Sequence, residues 1–125
     1  MNMKLLYVED DRINRVVLRK LLLPYAHTDL AASGEDAVSM GRETAYDAFL
    51  IDIHLGDPNM DGIKTMDLLK EQGHHKNAVF IALTAYALKE DEQRFLAAGF
   101  DFHHPKPVKV DKLLQEIGLQ ATQNP

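Results

Sequence analysis

Asp52 ends an apolar run, Phe49-Leu50-Ile51, and is followed by a stretch rich in Gly, Pro, Asn and Asp, Gly56-Asp57-Pro58-Asn59-Met60-Asp61-Gly62. A buried strand that ends in one carboxylate delivers it to the sheet edge where ligands of open parallel α/β sheets bind. Glu9 and Asp10 close a second apolar run, Leu5 to Val8, Thr84 follows a third, Ala78 to Leu83, and Lys106 follows the stretch Phe100 to His104. Three carboxylates brought to one edge repel one another, and a hard divalent cation with oxygen ligands keeps them all ionised. Mg²⁺ suits the set because it takes one or two carboxylates, waters and a phosphoryl oxygen, leaving Asp52 as a nucleophile. The Thr84 hydroxyl and the compact charge of Lys106 are groups that stabilise the equatorial oxygens of in-line phosphoryl transfer. Together these residue types point to an aspartyl phosphate on Asp52.

For these side chains to meet, their strands must lie parallel with the tips at one edge, and the chain supplies strands and helices in alternation. Leu5 to Val8 predicts the first strand, and Asp11 can cap a helix from Arg12 to about Leu23. In that helix Ile13, Val16, Val17, Leu21 and Leu22 recur at helical spacing, Arg12, Arg15, Arg19 and Lys20 lie largely on other faces, and Pro24 ends it. A weak strand, about Thr28 to Ala32, precedes the cap signal Ser33-Gly34-Glu35-Asp36 and a helix from Ala37 to about Thr44. Ala48 to Asp52 is the third strand, followed by a helix from about Gly62 to Gln72 that Gly73 stops. Ala78 to Leu83 delivers Thr84, and a helix from about Leu88 to Ala98 follows, with Gly99 as its C-terminal signal. Phe100 to His104 reads as the fifth strand, and Val110, Leu113, Leu114 and Ile117 line a last helix closed by Gly118. The pattern predicts an α/β fold: a doubly wound, five-stranded parallel sheet of order 2-1-3-4-5 in one domain over residues 1–119, with a polar tail at 120–125.

The chain has 125 residues, 46% hydrophobic and 26% charged, as expected of one globular domain. A net charge of −5, with no helix striped by Lys and Arg, argues against direct nucleic-acid binding. The absence of cysteine excludes disulfides and thiolate metal sites. The longest apolar run, Ala78 to Leu83, falls far short of the roughly 20 residues of a membrane helix, and the N-terminus lacks a signal-peptide pattern. A cytoplasmic protein without membrane insertion is the expectation. His74-His75 and His103-His104 are adjacent pairs, unlike the i,i+4 pair of a helical zinc site.

Val8-Glu9-Asp10-Asp11, Asp52 with Met60-Asp61-Gly62, Leu83-Thr84-Ala85 and Lys106-Pro107 together resemble the receiver domain of two-component response regulators, over nearly all of residues 3–119. The joint set is specific where each piece alone is weak. The wording Val-Glu-Asp-Asp-Arg-Ile-Asn-Arg looks more like receivers attached to hybrid histidine kinases than like those of transcription factors. The resemblance implies a flavodoxin-like receiver fold. It implies that Asp52 accepts phosphate from a histidine kinase or histidine phosphotransfer protein, in a self-phosphorylating switch and not a turnover enzyme. By position, Asp10 would bind Mg²⁺ directly, Glu9 through water and His54 through its backbone carbonyl, while Thr84 and Lys106 would contact the phosphoryl group beside a cis Lys106-Pro107 bond. Thr84 and the residue at position 103 would carry the switch to the fourth helix, fifth strand and fifth helix, where an unknown output partner or a second copy of the chain would bind. Asn14 and Arg15 fall among positions that set partner specificity.

The sequence departs from the family pattern at three places. The loop from Asp52 to Met60-Asp61-Gly62 is two residues longer, enlarging the rim at Gly56-Asp57-Pro58-Asn59; Asp57 there reads as a solvated carboxylate more readily than as a metal ligand. His103 stands where an aromatic commonly turns inward, and Phe102 stands where a polar residue is common, as an exposed apolar contact. His54 and Tyr86 each lie two residues past a site residue, where rings would hinder hydrolytic water and slow phosphate loss. Two other functions fit parts of the pattern. One is a phosphorylation-independent interaction module on the same fold, suggested by the loop and His103. The other is a Mg²⁺-dependent phosphohydrolase, disfavoured because His54 stands where such enzymes keep a second Asp.

Overall fold

Apolar runs form the strands β1 (Met3–Val8), β3 (Ala48–Asp52) and β4 (Val79–Thr84), and the more polar stretches Ala26–Ala31 and Phe102–Pro105 form the outer strands β2 and β5. They alternate with α1 (Arg12–Leu22), α2 (Gly34–Glu43), α3 (Gly62–Glu71), α4 (Lys89–Ala98) and α5 (Val110–Gln123) in a computed structural model that describes residues 3–85 and 88–123. The strands are parallel in the order β2-β1-β3-β4-β5. The order changes direction between β1 and β3, so a crevice opens at the C-terminal ends of these two strands.

Alternation along the strands sorts the core into two layers. Leu6, Val8, Phe49, Ile51, Phe80 and Ala82 pack with Ala37, Met66, Leu69 and Phe95 on the side of α2, α3 and α4. Leu5, Tyr7, Leu50, Ile81 and Leu83 pack with Leu18, Leu22, Leu113 and Ile117 on the side of α1 and α5. Phe49 stacks on Phe80 at the centre, ring centroids 4.8 Å apart. Three helices begin at side-chain caps: Asp11 accepts from the Ile13 amide, Ser33 from Asp36 and Asp61 from Lys64. Each cap contributes about 1 kcal/mol.

The α1 stripe is the largest departure from expectation. Of the residues that periodicity placed on the core face, Leu22 is buried, together with Leu18, but Ile13 is 72% exposed and Val16, Val17 and Leu21 are just over half exposed. The helix is apolar around most of its girth, so spacing alone could not say which arc turns inward. Smaller shifts have local causes. The register Met3↔Ala26 starts β2 earlier, and Ser33 as cap starts α2 at Gly34. The amides of Phe100 and Asp101 bond to Phe95 and Phe80, which moves β5 to Phe102–Pro105. Helix α5 runs through Gly118 to Gln123, because an internal glycine costs a helix only about 1 kcal/mol. Phe102 is half-buried against the α1/α5 layer and is not an exposed contact.

His75, in the connection after α3, is buried edge-on against Phe49 with ring centroids 4.9 Å apart. The Gln72 amide donates to the Val38 carbonyl, so its oxygen accepts from His75 Nε2 and leaves Nδ1 a bare, buried acceptor. Burial, and then the neighbouring His74, lower its affinity for a proton. Its folded pKa therefore lies below the unfolded value of about 6.5, and the stability it contributes is complete above that pH and lost as pH falls through the window beneath it. His104, paired with Glu116 and also lowered, first by burial, acts with the same sign. In urea titrations at pH 7.5 and 5.5 the wild-type midpoint is expected to fall on acidification, and to fall less in His75→Leu; equal falls would refute the assignment to His75.

Candidate functional site

Strand ends place the chemistry. Glu9 follows β1 and is held by its amide's bond to the Ala31 carbonyl; Asp52 is the last residue of β3 and 5% exposed. One carboxylate oxygen each of Glu9, Asp10 and Asp52 lie within 4.8 Å of one another. Lys106 reaches them from beyond β5, anchored by its amide's 2.7 Å bond to the Thr84 carbonyl and followed by a cis bond to Pro107. Its ammonium donates to Glu9 Oε1 at 2.6 Å and to Asp52 Oδ2 at 2.9 Å. The other Asp52 oxygen, Oδ1, accepts from the His54 amide at 3.0 Å. Thr84, buried at the tip of β4, stands one residue beyond Leu83, the register partner of Asp52.

Glu9 is the most heavily bonded of the three acids. Its Oε1 also accepts from the Tyr7 hydroxyl and from Asn14 Nδ2, each at 3.2 Å, and Arg15 Nη1 donates to its carbonyl at 2.7 Å. Tyr7 carries no site role in the sequence pattern, and Asn14 and Arg15, at positions expected to set partner specificity, are in addition bonded to Glu9. Period two held a signal for Tyr7, which shares a strand face with Glu9.

Burial, and then the neighbouring Glu9, push Asp52 up to about 7, against the pull of Lys106 and the His54 amide. For Glu9, burial also acts upward, but hydrogen bonds shared with Asp52 and Lys106 hold it down at about 2. Asp10 is raised, by partial burial first and then by Glu9 beside it. Lys106 is raised because its two carboxylate partners outweigh its burial. One ammonium faces three acids, which disfavours the charged forms of Asp52 and Asp10. That deficit, with hard oxygen donors only, is what a divalent hard cation satisfies, and the residues fit Mg²⁺.

The loop after β3 carries the rest. A Cβ at Gly62 would lie 2.5 Å from the Asp52 carbonyl oxygen, so a bare glycine lets α3 abut the strand that carries Asp52, and Asp61 caps that helix. Asp57 accepts from the Asn59 amide at 2.9 Å and so braces its own turn. His54 is exposed. His103 does not join the carboxylates: its side chain is 4% exposed, its ring lies 5.5 Å from that of Phe95, and Nδ1 lies 3.5 Å from Glu92. Tyr86 lies outside the described residues.

A crevice at the switch point of a 2-1-3-4-5 sheet, floored by acids and crossed by one ammonium, is the architecture of a receiver-type α/β domain. The chain belongs to the response regulator receiver domain family, whose sequence model matches residues 5–118. Receiver domains are signalling switches of two-component systems and not turnover enzymes in the usual sense. Signal transduction histidine-protein kinase BarA of Shigella flexneri is 30% identical over 112 residues, 89% of this chain but 12% of the kinase, so the chain spans a small part of that relative. The polar-differentiation response regulator DivK of Brucella ovis is 30% identical over 118 residues, 94% of each. Among solved structures, the receiver domain of sensor histidine kinase PA1611 from Pseudomonas aeruginosa PAO1 is similar with a TM-score of 0.84 at 30% identity, covering 98% of this chain and 99% of that one; it has a magnesium ion coordinated in its active-site cleft. No described helix is long and apolar enough to cross a membrane.

Gly62→Ala is expected to lower stability by about 1–3 kcal/mol, because the added methyl meets backbone that cannot rotate away. Urea unfolding measures this, and a change under 0.5 kcal/mol (about the noise of ordinary surface substitutions) would refute the close approach.

Proposed function

We propose that this protein is a phosphoacceptor switch in which Asp52 takes a phosphoryl group from a phosphohistidine of a histidine kinase or histidine phosphotransfer protein. The observation that carries it is the Lys106 ammonium shared between Glu9 and Asp52. An Asp52 carboxylate oxygen attacks phosphorus, the P–N bond to the donor imidazole breaks, and the nitrogen keeps that electron pair and takes up a proton. Asp10 and Asp52, with Glu9 through water and the His54 carbonyl, would hold Mg²⁺, which when bound neutralises phosphoryl oxygens. Lys106 then turns from Asp52 Oδ2 to the new phosphoryl oxygen, and the Thr84 hydroxyl donates to another. Thr84 moving toward phosphate frees space beside β5, and His103, packed on Phe95 and Glu92, relays the change to α4. The α4, β5 and α5 surface would then bind the output partner or a second copy of the chain.

The outer face of α1 supplies a place for the donor. Ile13, Val17 and Leu21 recur every fourth residue and stay exposed, with Arg12, Arg19 and Lys20 beside them. Val17 and Leu21 also line a cavity of about 160 Å³ with Asn14, Lys106, Pro107 and Val108, so an apolar partner docked there lies next to the phosphoryl site. BarA, a signal transduction histidine-protein kinase with a matching segment, supports a phosphohistidine donor, and membership of the receiver family supports work in the cytoplasm. His54, exposed beside Asp52, and Tyr86 would screen the phosphoryl group from in-line water.

Intact mass after incubation with acetyl phosphate is expected to show one phosphoryl adduct that requires both Mg²⁺ and Asp52 and is absent from Asp52→Asn. No adduct on wild type, with no binding of a beryllofluoride mimic, would favour a phosphate-independent interaction module. Val17→Asp with Leu21→Asp is expected to slow transfer from a phosphohistidine protein at least tenfold while leaving acetyl phosphate labelling intact; equal rates would remove α1 as the docking face. His54→Ala should lose phosphate faster than wild type, read by the decay of the same adduct.

A further inference from the structure

The enlarged loop after β3 is built, not slack. Leu55 is buried at its start, Asp57 braces its turn through the Asn59 amide, and the Met60 amide bonds the Asp57 carbonyl at 3.1 Å. Between these anchors Gly56 has φ +80°, and a Cβ placed on it would stand 3.0 Å from Asp10 Oδ2. The loop backbone therefore comes close to an acid of the pocket at the one loop position where hydrogen replaces a side chain.

We propose that Gly56 is a positioning residue for the metal pocket: its bare Cα lets the enlarged loop close beside Asp10, and any side chain there displaces the Asp10 carboxylate from the place it needs to hold Mg²⁺. The proposal rests on the reading that Asp10 is a Mg²⁺ ligand. Asp10 is exposed, so without the cation its carboxylate can rotate away from an added methyl and the fold loses little by that contact. With the cation bound the carboxylate has no such freedom, and the contact is felt as weaker Mg²⁺ binding.

Gly73 separates this effect from backbone strain. It has nearly the same backbone angle, φ +83°, but a Cβ there would meet nothing within 4 Å. Gly73→Ala therefore carries the left-handed strain without the contact. Isothermal titration calorimetry with Mg²⁺, paired with thermal unfolding, on wild type, Gly56→Ala, Gly73→Ala and Asp10→Asn decides the matter. Both alanine variants should unfold at similarly lowered temperature, but Gly56→Ala alone of the two should bind Mg²⁺ more weakly, by roughly tenfold. Gly56→Ala binding Mg²⁺ as wild type does, or Gly73→Ala weakening it equally, would overturn the role of Gly56. Asp10→Asn binding Mg²⁺ as tightly as wild type would instead overturn the reading of Asp10, and the proposal with it.

Discussion

The structure depends on one ammonium held between two nearly buried carboxylates. Lys106 Nζ lies 2.6 Å from Glu9 and 2.9 Å from Asp52, and both acids are at most 5% exposed. Charges removed from water this far are tolerated only when paired and hydrogen-bonded. The parallel sheet meets that demand by bringing the ends of β1 and β3 and the segment after β5 to one edge, and Tyr7, Asn14 and the His54 amide supply the remaining donors. Even so, one ammonium does not balance three acids, and that residual negative charge suits the pocket to a cation.

The same acids tie the site to the surface of α1. Asn14 and Arg15 reach Glu9 from the first turns of the helix, while Leu18 and Leu22 fasten its far half to the sheet. Its outer arc of Ile13, Val17 and Leu21 is thereby presented at a fixed place relative to Glu9 and Lys106. An apolar arc that adds nothing to this fold is a standing solubility liability, and it lies beside the pocket.

Much of this was legible in the sequence, because the central strands of a parallel sheet covered on both faces are written as short apolar runs, and β1, β3 and β4 each end in, or are followed at once by, a residue with chemistry. Glu9, Asp10, Asp52 and Thr84 were singled out in that way, and Lys106 by its place after Phe100 to His104. The structure brings the three acids and Lys106 together; the caps Asp11 and Ser33 were read from their positions before periodic segments. The inward arc of α1 was not legible, since a helix apolar on both sides gives spacing without direction. Nor were the bonds of Tyr7, Asn14 and Arg15 to Glu9, which depend on how closely α1 crosses the end of β1. The burial of His75 and the bracing role of Asp57 were likewise set by three-dimensional neighbours, Phe49 in one case and the Asn59 amide in the other.

The bond between Lys106 and Glu9 joins residues 97 positions apart. While the chain is being synthesised, Glu9 and Asp52 emerge from the ribosome well before the lysine that pairs them, which follows directly on β5. A nascent fragment ending before Lys106 carries the acids without their counter-charge. The acidic pocket is in this sense complete only when the last strand has been laid down, and a C-terminally trimmed domain leaves Glu9 and Asp52 without the ammonium that pairs them.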